Sequence, residues 1–151
     1  MLKGIDPLLT PDLLKVLAEM GHGDEIVITD ANFTAASLAR GKPLITLAGV
    51  SARQACQAVL SVLPLDTHVA QPVAFMKVCH TADGYLSGLQ REITGQWAAA
   101  GWVALAQCEA MERFAFYERV KQAYAVVHTG ELQPYANFLF KKGVLGEALR
   151  A

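Results

Sequence analysis

Apolar positions along this chain switch between helical and strand spacing, and the switches mark out about five helix–strand units. Thr10-Pro11-Asp12 opens the first. Threonine can cap a helix, proline suits the first helical position, and aspartate opposes the positive end of the helix dipole. Leu13, Leu14, Leu17 and Met20 follow as an apolar stripe. Gly21 closes that helix, His22 and Gly23 make the turn, and Glu25-Ile26-Val27-Ile28-Thr29 has the β-branched content of a buried strand that leaves the sheet at Asp30. The small-residue stretch 31–41 is long enough to cover a ligand, and a second strand is expected over Leu44 to Ala48. Ser51-Ala52-Arg53-Gln54 has the form of a capping box, which predicts a helix from about Ala52 to Val62 with its exit at Pro64.

A third strand is expected over Pro72 to Cys79, a turn at Thr81-Ala82-Asp83-Gly84, and a helix over Ser87 to Ala100, weakened by Gly88 and Gly95. Val103 to Ala106 reads as a short strand, Glu109 to Gln122 as a helix, Tyr124 to Thr129 as a strand, and 134–144 as a block holding a last apolar strand. Helices and strands in alternation predict an α/β layered sandwich around a central mixed or mostly parallel sheet. With no repeat, low-complexity segment or linker, residues 1–151 read as a single domain.

Composition adds three constraints. The chain has 151 residues, of which 53% are hydrophobic; that is enough for one sizeable core, with an excess that points to burial between subunits. No apolar run reaches the roughly 18 residues of a membrane span, and the start lacks the regions of a secretion signal, so a cytoplasmic protein with no membrane partner is expected. A net charge of −1 with interspersed signs offers no basic face to nucleic acid and leaves small molecules as the natural ligands. Cys56, Cys79 and Cys108 are widely spaced in apolar surroundings and read as reduced core thiols.

On residue types alone, His22 between two glycines is an exposed turn residue with catalytic potential, and Asp30 is a cap or a ligand group. Arg113 and Arg119 read as helix charges paired with Glu109, Glu112 or Glu118, and Phe114, Phe116 and Tyr117 as core and interface packing. Lys141 and Lys142 are expected in solvent at a strand end. His68, His80 and His128 lie apart without ligand spacing, so no metal site is expected.

Two blocks carry more. The runs 13–25 (LLKVLAEMGHGDE) and 113–119 (RFAFYER), with Lys141-Lys142-Gly143-Val144 at the end, closely resemble the L-fucose mutarotase family, which belongs with the D-ribose pyranase proteins. The resemblance spans Thr10 to Asp30 and Arg113 to Val144, about a third of the chain. It implies a ribose pyranase-like fold and a cytosolic isomerase that interconverts the anomers of a free monosaccharide, L-fucose or a related sugar, without metal or organic cofactor. It also implies a ring-shaped homo-oligomer, commonly a decamer. Residue by residue, it gives His22 the proton-donor role and matches Asp30, Arg113, Tyr135, Ala136 and Asn137 to sugar-binding positions. Asn32, Thr34 and Ala136 stand where the family has, respectively, often histidine and usually proline and glycine. Two other functions stay open: pyranose–furanose exchange of the ribose pyranase type, and a non-catalytic sugar-binding accessory protein of a transport or catabolic system.

The residue types suit anomer exchange. Histidine titrates at roughly 6.5 and can give or take a proton near neutrality. Aspartate and asparagine can hold sugar hydroxyls, arginine supplies directional donors, and tyrosine can lie against a sugar face. His22 and Asp30 are nevertheless eight positions apart, across a strand that advances about 3.3 Å per residue. Either the Gly-His-Gly turn folds back along the sheet, or the site combines residues of two subunits, and an interface site is the expectation.

Overall fold

The alternation of side chains along the central strands sorts the core into two halves. In β1 (Glu25–Thr29) Ile26 and Ile28 face one apolar cluster and Val27 the other. In β5 (Ala125–Thr129) Ala125 and Val127 oppose Val126, and in β6 (Phe138–Lys141) Phe138 and Phe140 oppose Leu139. Strands buried on both faces require cover on both. The computed structural model, which describes residues 1–147 and 149–150, supplies it with helices on each side.

One layer holds α1 (Pro11–Glu19), α3 (Ala52–Leu60) and α4 (Gly88–Ala99); the other holds α2 (Ala35–Leu38) and α5 (Arg113–Gln122). With β2 (Leu44–Leu47), β3 (Val73–Met76) and β4 (Cys108–Met111) the six strands are ordered β2-β5-β1-β6-β3-β4. Only β6 runs antiparallel to its neighbours, so the other five strands end on the same edge of the sheet. Trp97 of α4 packs edge-on against Phe138 and Phe140 at 5.4 and 5.5 Å, a geometry worth about 0.5–1.5 kcal/mol per pair beyond burial. The α/β sandwich expected from the periodicity is the fold observed.

Local caps place the helices. Thr10 Oγ1 accepts from the Leu13 amide at 3.3 Å, and Ser51–Gln54 forms the full capping box. Ser87–Gln90 forms a second box, which anchors α4 despite its glycines. Two expectations need correction. Val103–Ala106 is not a strand: a 3-10 turn covers Leu105–Gln107 and the strand begins at Cys108. Being an edge strand, β4 has half-buried and exposed side chains at Glu109 and Ala110, so its sequence lacks a buried strand's apolar run. The following helix starts at Arg113 rather than Glu109 because the Glu112 carboxylate caps the amides of Phe114 and Ala115, at 2.8 and 3.3 Å. The 31–41 stretch also contains α2, a single helical turn.

Cys56 and Cys108 are buried and free, with burial pushing the Cys108 thiol up to about 11, whereas Cys79 is only half-buried and is not a core thiol. Arg119 is not a solvated helix charge. Its guanidinium reaches Glu25 at 2.7 Å and Glu109 at 2.9 Å, tying α5 to the start of β1 and to β4. Among the described residues no helix is long and apolar enough to cross a membrane.

After β5 the chain passes Gly130, where a Cβ would lie 2.0 Å from the carbonyl oxygen of Ala48. Backbone cannot yield there as a flexible side chain would. Gly130→Ala is therefore expected to destabilise the protein by roughly 1–3 kcal/mol, read as a lower denaturation midpoint at unchanged slope.

Candidate active site

The shared C-terminal edge of the five parallel strands is where open α/β sheets hold ligands, and Asp30 leaves β1 there. It is buried, and its backbone N–H donates to Asn137 Oδ1 at 2.9 Å while Asn137 Nδ2 donates to Asp30 Oδ2 at 2.9 Å. The pair locks the end of β1 to the start of β6. Burial pushes the Asp30 carboxyl up from its ordinary value, opposed by hydrogen bonds from Asn137 and from the amides of Asn32, Phe33 and Tyr135. The carboxylate is thus held by a fixed cage of donors.

Tyr135 has φ of +63°, a left-handed conformation that costs a non-glycine residue of order 1 kcal/mol. Gln90 holds it there. Fully buried at the start of α4, Gln90 donates from Nε2 to the carbonyls of Met76 (2.8 Å) and Tyr135 (2.9 Å) while its Oε1 accepts from Ser87 N–H. Ala136 is buried and lies outside the left-handed region, so the methyl group in place of a glycine is accommodated.

Arg113, the first residue of α5, is exposed and donates from Nε to the Tyr117 hydroxyl at 2.8 Å, its guanidinium 5.4 Å from that ring's centre. Phe33, three residues after Asp30, packs edge-on against Tyr117 at 5.4 Å. The loop after β1 and the first turn of α5 therefore share one corner. A cleft of about 230 Å³ opens beside Arg113, with Lys77, Cys79, His80 and Glu112 in its walls. Asp30, Asn137, Tyr135 and Arg113, which the resemblance matches to sugar-binding positions, sit together at this edge.

His22 lies at the opposite edge. The Gly21–Asp24 turn is stapled there, with Gly23 N–H donating to the Lys142 carbonyl and Lys142 N–H to the Asp24 carbonyl, both at 2.8 Å. His22 Nε2 is 3.2 Å from Asp66 Oδ1, and Asp66 is almost completely buried. The backbone N–H of His68 donates to the same Oδ1 at 2.9 Å and, with His22, holds the Asp66 carboxyl below its usual range. The chain around Asp66 is pinned to the end of β6: its N–H donates to the Lys141 carbonyl at 3.0 Å, and a Cβ on Gly143 would lie 2.5 Å from the Leu65 oxygen. Lys142 is not free in solvent either, because its ammonium donates to the carbonyls of Leu17 and Met20 at the end of α1.

The turn therefore does not fold back along the sheet. The five residues of β1 alone separate the two edges by about 16 Å, so within one chain His22 cannot touch a small molecule held by Asp30. Asp66, Gln90 and Tyr117 are functional candidates that the sequence reading missed. Asp66 lies 44 residues from His22 and only the fold joins them. Gln90 had a legible signal, the Ser87-x-x-Gln90 capping box, although nothing local announces its reach to Tyr135.

The chain is similar to known proteins over nearly its whole length. The model of the RbsD / FucU transport protein family matches residues 3–145. The fucose mutarotase of Homo sapiens is 46% identical over 150 residues, covering 95% of this chain and 94% of that protein. The L-fucose mutarotase of Glaesserella parasuis is 45% identical over 144 residues, covering 95% and 96%. The crystal structure of the fucose mutarotase in complex with L-fucose from Streptococcus pneumoniae superposes with a TM-score of 0.85 at 41% identity, over 96% of this chain and 100% of that one.

Proposed function

We propose that this chain, which belongs to the RbsD / FucU transport protein family, is a cofactor-independent sugar mutarotase that interconverts the anomers of L-fucose. It is an isomerase acting in the cytoplasm. The observation that carries this reading is the division of labour between the two sheet edges: a hydroxyl-holding cage of Asp30, Asn137, Tyr135 and Arg113 at one, and a histidine held on a buried carboxylate at the other. Similarity over nearly the whole chain to proteins named fucose mutarotase points to the same sugar.

Exchange of anomers breaks the bond between the anomeric carbon and the ring oxygen. The anomeric hydroxyl gives up a proton, the ring oxygen gains one, and the open aldehyde closes again on its other face with the transfers reversed. His22 is the acid/base. With Nε2–H directed at Asp66, Nδ1 remains to deliver and recover the proton at the ring oxygen, and Asp66 is the positioning residue that fixes the ring and steadies the imidazolium. Tyr117, oriented by Arg113, is the hydroxyl on the cage side that passes the other proton. Asp30 and Asn137 accept and donate to the sugar hydroxyls, and the half-buried Tyr135 ring covers one sugar face.

Because these two sets lie on opposite edges of one chain, the working site is composite, with His22 and Asp66 supplied by a neighbouring copy. That requires a head-to-tail contact, which closes into a ring; a decamer is the expected assembly. The high apolar fraction and the exposed Phe114 beside Arg113 support such a contact.

Saturation-transfer NMR on equilibrated L-fucose, D-galactose and D-ribose tests the activity. Accelerated exchange between the two fucose anomers is the expected result. Acceleration confined to pyranose–furanose exchange of ribose would favour the pyranase activity, and binding without acceleration would favour an accessory sugar-binding role.

A further inference from the structure

The carboxylate of Asp66 gathers a second histidine. His68 Nδ1 lies 3.3 Å from the same Oδ1 that faces His22 Nε2 at 3.2 Å, and the two imidazole rings are 5.4 Å apart, centre to centre. The sequence reading excluded a metal because His68 has no histidine at ligand spacing. Folding supplies one from 46 residues away. We propose that His22, Asp66 and His68 form a binding site for one tetrahedral divalent transition ion of the Zn²⁺ class, with solvent in the fourth position.

Four features of the site carry this. Donor atoms around a tetrahedral ion with bonds of about 2.0–2.2 Å lie roughly 3.4 Å apart, and two of the three edges already measure 3.2 and 3.3 Å. All three ligand atoms lie within 4.8 Å of one another, and both rings are free to close the remaining edge, their side chains being 46% and 65% exposed. Two imidazoles and a carboxylate form the donor set that suits zinc, cobalt, nickel and copper rather than magnesium or calcium. Finally, the ligands stand on rigid backbone. Asp66 is held by the Lys141 carbonyl and the close approach of Gly143, and the His22 turn by Lys142.

The ion takes the place of the protons that the two rings share with Asp66. The binding stands apart from any sugar chemistry; its consequence rests on the proposed role of His22. An ion on Nε2 leaves Nδ1 carrying a fixed proton, so the ring can no longer cycle between acid and base, and the enzyme is inhibited.

The test uses the untagged full-length protein stripped with a chelator. One equivalent of Co²⁺ is expected to give the intense visible bands of a tetrahedral complex, and calorimetry to count one Zn²⁺ per chain. His68→Phe keeps the backbone N–H that holds Asp66. It is expected to lose the Co²⁺ bands and to weaken Zn²⁺ by more than the roughly 10–100-fold that loss of an outer partner costs, with unchanged circular dichroism. Zn²⁺ should stop fucose exchange in the unmodified protein but not in His68→Phe. Octahedral or absent Co²⁺ bands in the unmodified protein, or equal Zn²⁺ affinity in His68→Phe, overturns the site. Bands that vanish with His68→Phe in a protein without exchange activity would uphold the site and reject the mutarotase reading.

Discussion

His22→Ala is expected to slow anomer exchange by about 10²–10⁴-fold, the range that a positioned acid/base contributes, while the protein folds as before. The ring is half-exposed, and its one polar contact among the described residues is Asp66. Removing it leaves that carboxylate still receiving the His68 amide, so no buried charge is stranded. Thermal unfolding and NMR exchange rates on the same sample separate the two effects. Asp66→Asn refines the result. A residue that only supports the turn would lower stability and leave turnover alone, whereas a positioning residue lowers kcat with little change in KM. Full exchange in His22→Ala would remove it from the mechanism.

Mixing two inactive proteins should restore activity. If a site takes His22 from one copy and Asp30 from the next, His22→Ala rings and Asp30→Asn rings are each dead at every site. Rings reassembled from equal amounts of both pair an intact His22 with an intact Asp30 at about a quarter of their sites, one half times one half. The expected recovery is therefore about a quarter of the unmodified rate, against a residual rate lower by two orders of magnitude or more. Dissociation in mild denaturant, mixing and dilution, followed by the NMR assay, measures it. Additive residual rates with no recovery would place the whole site in one chain, which the roughly 16 Å span of β1 opposes.

Legibility in the sequence followed the range of the interaction. Thr10, Ser51 and Gln54 announced helix starts because a cap is a contact within three residues. The buried strands β1, β5 and β6 were visible because both their faces meet apolar layers, which forces continuous apolar runs. The edge strand β4 was placed too early for the converse reason. With one neighbour it tolerates Glu109 and Ala110, a composition closer to a helix start, and the actual start at Arg113 depends on one carboxylate, Glu112, turning back onto two amides.

The same division holds for the candidate site. Sequence alone was sufficient to single out His22, Asp30, Arg113, Tyr135 and Asn137, because residue type and motif are local properties and because long runs resemble a known family. It also exposed the eight-residue gap between His22 and Asp30. Only the tertiary structure decided where the two residues lie, by pinning the His22 turn to the far end of β6 through Lys142 and so placing His22 and Asp30 at opposite edges of the sheet. Only it revealed Asp66 beneath His22, Gln90 behind Tyr135 and His68 beside both ring and carboxylate. Apart from the local His68–Asp66 contact, two residues apart, those contacts join residues 44 or more positions apart. No periodicity or spacing along the chain encodes such pairs; they exist because the parallel strands bring segments far apart in sequence to common edges of one sheet.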